Sequence, residues 1–214
     1  MTNPKVISLE GIDGSGKSTV AMWLKERLEA LGIEAILLRE PGSTPIGETL
    51  RNILLRGQME TSSPWVDVLL FYAARIENIE KNIRPALERG VWVILDRFQD
   101  ATIAYQGYGQ GLDVQKLEAI YRMVSENFTP EWTVLLDCPV DVAEKRLSSR
   151  NDLRTRWERL GRDFFERVRK GYIELARKND DRFTIVDASM PLNEVYAVID
   201  KALMERLQRW NFRL

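Results

Sequence analysis

The sequence contains no histidine. A Ser-His-Asp or Cys-His nucleophile system, a histidine metal site and a histidine general base are therefore excluded. Any chemistry must run on carboxylates, hydroxyls, lysine, arginine or a bound ion. The single cysteine, Cys138, can form neither an internal disulfide nor a Cys-x-x-Cys site, so nothing indicates an oxidising compartment, and it reads as a small buried hydrophobe. No stretch approaches the roughly 18 uninterrupted apolar residues of a membrane span. Met1 to Ser8 shows no basic segment followed by an apolar one. The expectation is a cytoplasmic protein with no membrane partner. Internal repeats, low-complexity tracts and Pro/Gly/Ser linkers are also missing, which leaves one domain over residues 1–214.

The composition is that of a globular chain: 44% hydrophobic and 29% charged, with 31 Lys and Arg against 32 Asp and Glu. A net charge of −1 argues against nucleic acid or anionic lipid as a partner, since both need a basic footprint. The charge is unevenly placed. Between Lys145 and Lys170 ten basic residues face four acidic ones, so this stretch carries +6.

Short Val/Ile/Leu runs alternate with longer amphipathic stretches, the pattern of βαβ units around a parallel sheet. Strands are expected at Lys5 to Leu9, Ala35 to Leu38, Val91 to Leu95, Thr133 to Leu136 and Phe183 to Val186. Ala21, Leu24, Leu28 and Leu31 share a stripe, predicting a helix over Lys17 to Leu31 closed by Gly32. Ser63-Pro64 is an N-cap and first-turn pair opening a helix with Val66, Leu69, Leu70 and Ala73. Further helices are expected at Val114 to Asn127, Val140 to Ser149, Arg159 to Arg177 and Leu192 to Arg209.

Gly11-Ile12-Asp13-Gly14-Ser15-Gly16-Lys17-Ser18, followed by Thr19, fits G-x-x-x-x-G-K-[ST] between an expected strand and an expected helix. Glycines let backbone N–H groups close around phosphate oxygens. Lys17 supplies a point charge for the β- and γ-phosphates, Ser18 a hydroxyl for Mg²⁺, and the helix N-terminus its positive end. Asp96, directly after the third strand, stands where a second metal-side group is needed. Gly11 to Thr19 is thus the candidate ATP-binding segment, with Ser18 and Asp96 the candidate metal residues.

A guanine-nucleotide switch needs an N-K-x-D string, which is absent. A kinase needs an acceptor site and a cationic cover that excludes water, and the basic stretch after the fourth strand suits that task. Phe71 and Arg75, four apart on a helix, can offer an aromatic plane and a forked donor to a base. Thr102, Tyr105 and Gln106 share one face if residues 100–106 are helical.

The strings Arg39-Glu-Pro-Gly-Ser-Thr44, Phe71-Tyr-Ala-Ala-Arg75, Asp96-Arg97-Phe98 and Ala104-Tyr-Gln-Gly107, in order behind the phosphate loop, resemble the bacterial-type thymidylate kinase family. The resemblance runs from about Lys5 to the last helix. It implies a P-loop NTPase-type three-layer α/β fold, with a five-stranded parallel sheet, helices on both faces and an Arg-rich lid at about 148–160. It implies thymine as the acceptor base, read by Phe71, Arg75 and the Thr102, Tyr105, Gln106 segment, which also crowds the sugar 2′ position. It implies that Asp13 lies by the acceptor sugar and holds Arg97, a clamp on the acceptor phosphate, with Arg51 as a second clamp. Counting back from Phe164-Phe165 sets Arg156 and Glu158 on the family's R-x-E pattern and makes Arg150 the second lid arginine. Lys17, Arg97, Arg150, Arg156 and Asp13 are the implied catalytic set, with Mg²⁺ as cofactor and a homodimer as the assembly.

Ser43, Phe98, Ala101 and Thr155 depart from the family's usual residues, and the lid is one residue longer. The expected activity is transfer of the ATP γ-phosphoryl to dTMP, giving dTDP. The alternatives are another nucleoside monophosphate or deoxynucleoside kinase, and a P-loop regulator without an acceptor.

Overall fold

β1 (Val6–Glu10), β3 (Trp92–Asp96) and β4 (Trp132–Asp137) are buried almost throughout, as expected for strands covered on both faces. A computed structural model of the chain describes residues 3–56, 63–149 and 155–212. β2 (Ala35–Arg39) and β5 (Phe183–Asp187) are the edges of an all-parallel sheet of order β2-β3-β1-β4-β5. The strands lie within a residue or so of their expected places.

Alternation along the strands divides the core. Ile7, Leu9, Trp92 and Ile94 face α1 (Lys17–Ala30) and α9 (Leu192–Arg209), whose Leu24, Leu28, Ile199 and Leu203 are fully buried. Val6, Val93 and Leu95 face Val68 and Tyr72 of α3 (Pro64–Asn78) and Leu117 and Tyr121 of α6 (Val114–Ser125). This is the expected sheet with helices on both faces.

Local signals explain the helix ends. Gly32 adopts φ +75° and its N–H donates to Glu29 O at 2.9 Å, while Ile33 N–H donates to Leu28 O, so the last carbonyls of α1 are satisfied. Ser63 Oγ accepts from Trp65 N–H at the start of α3. Two helices lie outside the expected set: α2 (Pro45–Arg56), and α4 (Arg84–Glu88), which continues α3 through a π-helical turn at Ile79–Ile83. The run expected over 100–106 is α5 (Gln99–Thr102) passing into a wider π-helical turn, Ile103–Gly109. After α7 (Val140–Ser148) the chain reaches a 3₁₀ turn, Trp157–Arg159, and then α8 (Arg162–Lys178), three residues later than expected. Among the described residues, no helix is long and apolar enough to cross a membrane.

β1 lies between β3 and β4, so the connections leaving the sheet there diverge to opposite sides. A crevice at the carboxyl ends of β1 and β3 follows, the usual ligand position in open α/β sheets.

Candidate active site

The phosphate loop leaves the end of β1 with its backbone pressed against neighbouring strands and helices. A Cβ on Gly11, at φ +140°, would lie 2.5 Å from Leu136 O, and one on Gly14 would lie 2.6 Å from Ala143 O. The glycines are therefore required by the loop's own packing as well as by a ligand's approach. Lys17, buried at the first position of α1, donates from Nζ to Ile12 O at 2.8 Å, closing the loop on itself. Burial lowers the Lys17 pKa to about 8, and Arg97 pushes in the same direction against Asp13, Asp96 and Glu10. A cation held so far from water favours the arrival of an anion.

A cavity of about 240 Å³ opens beside this loop. Asp13, Gly14, Gly16, Lys17 and Ser18 line it on the loop side; Phe71, Arg75, Thr102 and Gln106 line it too, and Tyr105 joins the two groups, its OH accepting from Asp13 N–H at 3.1 Å; Arg51, Asp96 and Arg97 lie on its wall as well. Gly11, Ile12, Ser15, Thr19 and Arg156 do not reach its surface, and Arg150 lies outside the described residues. Ile12 and Ser15 are buried loop residues, whereas Thr19 is exposed on α1.

Ser18 Oγ donates to Asp96 Oδ2 at 2.7 Å. A hydroxyl and a carboxylate on the rim of a phosphate loop are hard oxygen donors of the kind Mg²⁺ takes together with substrate phosphates and water, so these two residues fit that ion.

Arg97 occupies a left-handed backbone position, φ +73°, at the turn after β3. Its Nη1 donates to Gly11 O and Tyr172 OH, and its Nη2 to Asp13 Oδ1 at 2.5 Å and Tyr105 OH at 3.0 Å. Burial alone would lower its pKa, but Tyr105, Tyr172, Asp13 and Glu10 outweigh this and keep the guanidinium firmly charged. The expected Asp13–Arg97 contact is present. Beneath it, Glu10 accepts from Tyr172 OH and from Phe98 N–H, and burial with Asp100 nearby pushes its carboxyl up to about 8. Arg51 donates to Pro41 O at 2.7 Å, and burial with Arg39 nearby lowers its pKa.

Arg75 is 3% exposed and is clasped on all sides. Nε donates to Glu40 Oε2 at 2.6 Å, Nη1 to Gln99 Oε1 and Thr102 Oγ1, and Nη2 to Phe98 O. Four of the five N–H groups a guanidinium carries thus meet acceptors among the described residues, which leaves one Nη2 N–H for a ligand where the sequence suggested a fork. Asn78 donates to the other Glu40 oxygen. Gln106, also buried, has among the described residues no partner for its Nε2, a donor at the same end of the cavity.

The lid turn departs most from expectation. Thr155, Trp157 and Glu158 line the cavity, but the Arg156 guanidinium pairs with Asp67 of α3 and lies over the Trp157 ring at 4.4 Å. The Arg156 backbone N–H donates to Leu55 O at the end of α2. Thr155 exchanges hydrogen bonds with Glu158: Thr155 N–H donates to Glu158 Oε2 and Glu158 N–H to Thr155 Oγ1. That reciprocal pair ties Thr155 to the middle residue of the 3₁₀ turn.

Sequence reasoning missed Glu40, Tyr172 and Trp157. Glu40 lay inside a quoted string but had no partner to suggest its role. Tyr172 shares the apolar stripe of α8 with Phe165 and Val168, which reads as core.

A family model described as Thymidylate kinase matches residues 9–199. Three similar proteins bear the name thymidylate kinase. That of Alkalilimnicola ehrlichii is 41% identical over 98% of this chain and 97% of its own length. That of Pseudomonas fluorescens is 43% identical over 95% of this chain and 96% of its own. That of Bordetella pertussis is 44% identical over 94% and 95%.

Proposed function

Because the chain belongs to the thymidylate kinase family, we propose that it transfers the γ-phosphoryl of ATP to dTMP, giving ADP and dTDP. The observation that carries this reading is one cavity joining the Lys17 loop to the Phe71–Arg75 helix face, with Arg97 on its wall. A phosphate loop alone would suit any nucleotide hydrolase; a base-sized recess beyond it suits an acceptor.

A phosphate oxygen of dTMP attacks the γ-phosphorus, a new P–O bond forms, and the bond from the γ-phosphorus to the β,γ-bridging oxygen breaks. The acceptor phosphate is already ionised, so no general base is required, and positioning and charge supply the catalysis. Lys17 and the loop amides of Gly11 to Thr19 hold the donor. Arg97, oriented by Asp13 and Tyr105, holds the acceptor phosphate, with Arg51 beside it. Phe71 stacks on thymine, the remaining Arg75 N–H and Gln106 Nε2 meet its polar edge, and Thr102 and Tyr105 bound the sugar. Ser18 and Asp96 would hold Mg²⁺, which would supply charge neutralisation at the donor phosphates. Arg150 and Arg156 complete the site from a lid at about 148–160, Arg156 exchanging Asp67 for the phosphates.

The chain works as a single kinase domain, in the cytoplasm, as a homodimer. The exposed apolar side chains Ile46 on α2 and Val66 and Leu69 on the adjoining α3 support that assembly. ADP formation with ATP, Mg²⁺ and each nucleoside monophosphate in turn tests the activity. The expected result is release that depends on dTMP above all others; no more ADP with dTMP than with buffer ends the reading.

A further inference from the structure

Trp157 is 4% exposed, yet it lines the cavity. Its indole stacks on Phe164, with 6.2 Å between centroids and 17° between planes. The Arg156 guanidinium, drawn toward Asp67, lies over the same indole. A large ring fixed by a stacked aromatic cannot be displaced cheaply, because interiors are close-packed and stacking has a preferred geometry. It tilts 38° against Phe71 at 6.3 Å and stands edge-on to Tyr105 at 6.4 Å. Those two residues are the plane for the base and the boundary of the sugar in the function proposed above. The lid turn thus brings a third aromatic wall to the acceptor end, between groups more than fifty residues earlier in the chain.

We propose that Trp157 is a specificity-determining residue for the acceptor: its indole limits the recess beside Phe71 to a one-ring base and rejects the two-ring bases of purine monophosphates. This rests on the reading of the cavity as a dTMP site. The physical basis is steric. A two-ring base seated on Phe71 needs room along the recess that the indole fills, and the indole is braced from behind by Phe164.

The test compares parent, Trp157→Ala and Trp157→Phe in dTMP phosphorylation, with dGMP both as an alternative acceptor and as a competitor. Pocket-size effects are commonly worth about 10- to 200-fold in discrimination. Trp157→Ala is therefore expected to lower the dTMP:dGMP ratio of kcat/KM by about tenfold or more and to lower the Ki of dGMP, while Trp157→Phe restores most of the discrimination. If Trp157→Ala proves unfolded by circular dichroism, Trp157→Leu takes its place with the same expectation. A ratio and a dGMP Ki within twofold of the parent, whether or not overall turnover falls, overturn the proposal and leave Trp157 a packing residue of the lid. A parent without dTMP-dependent turnover would instead sink the proposed function, so the two failures are distinguishable.

Discussion

At the phosphate end of the cavity most of the lining groups, Asp13, Gly14, Gly16, Lys17 and Ser18, come from one contiguous segment, joined by Asp96 and Arg97 from the end of β3 and held by glycine-permitted backbone and by Lys17 folded onto its own loop. At the base end they come from separate segments, and the central group, Arg75, is positioned by Glu40, Gln99, Thr102 and Phe98 O. The first end holds a cation at a cost, since burial disfavours its charged form. The second holds a cation whose N–H groups are nearly all satisfied, so it stabilises the fold as well as the site. Activity and stability are therefore expected to separate between the two ends.

The largest effect falls at the base end. Glu40→Gln keeps the shape but removes the carboxylate that meets Arg75 Nε and Asn78, leaving a buried guanidinium without its counter-charge. Breaking a buried pair in this way costs about 3–5 kcal/mol. For a chain of this size that is roughly a 10 °C fall in melting temperature, read by calorimetry. Acceptor KM should rise with it, since the ligand-facing N–H moves with the guanidinium. An unchanged melting temperature would remove the structural half of the comparison.

Lys17→Ala should do the reverse. Loss of a single charge-stabilising group from such a site costs about 10²- to 10³-fold in turnover. The melting temperature should fall much less than in Glu40→Gln, because a lysine whose pKa is lowered by folding adds no stability through its charge and only its hydrogen bond to Ile12 O and its packing are lost. Steady-state kinetics beside a thermal melt checks both halves. A melt lowered as far as that of Glu40→Gln would show that the two ends are not built differently.

The same division decides what could be read in the sequence. The strands, α1 and the phosphate loop follow from local patterns: alternation, a helical stripe, a capping glycine and a contiguous motif. Arg75's surroundings do not, because Glu40 lies 35 residues earlier and Gln99 24 later, and only the sheet order β2-β3-β1 brings them together. Arg156 is a sharper case. Charge and family pattern aim it at a phosphate, but nothing local reveals that Asp67, 89 residues away, stands within reach of its guanidinium. Trp157 sits in a 3₁₀ turn of three residues, too short for any period to show which face it presents. The wide turn at Ile103–Gly109 departs from the helical period, yet Thr102, Tyr105 and Gln106 still share the cavity wall.

The smallest effect is on pH, and it probes the phosphate end alone. In the empty enzyme the Lys17 ammonium is lost as pH rises through about 8, because burial and then Arg97 disfavour it. The charge that the donor phosphates need is thus present below that pH and fades above it. Bound ATP adds negative charge and raises the pKa. kcat/KM for ATP, which reports the free enzyme, should therefore fall above about pH 8 toward tenfold per unit, while kcat at saturating ATP stays level to higher pH. Stability moves the other way: between about 8 and the ordinary lysine value of 10.5 the unfolded chain holds more protons on Lys17, so its penalty on folding is relieved as pH rises. Glu10 titrates near the same pH from below, its carboxyl pushed up to about 8, and its contribution to folding weakens between 4.5 and 8. Glu10→Gln separates the two: a fall in kcat/KM near pH 8 that survives the substitution belongs to Lys17, and one that disappears belongs to the carboxylate beneath Arg97.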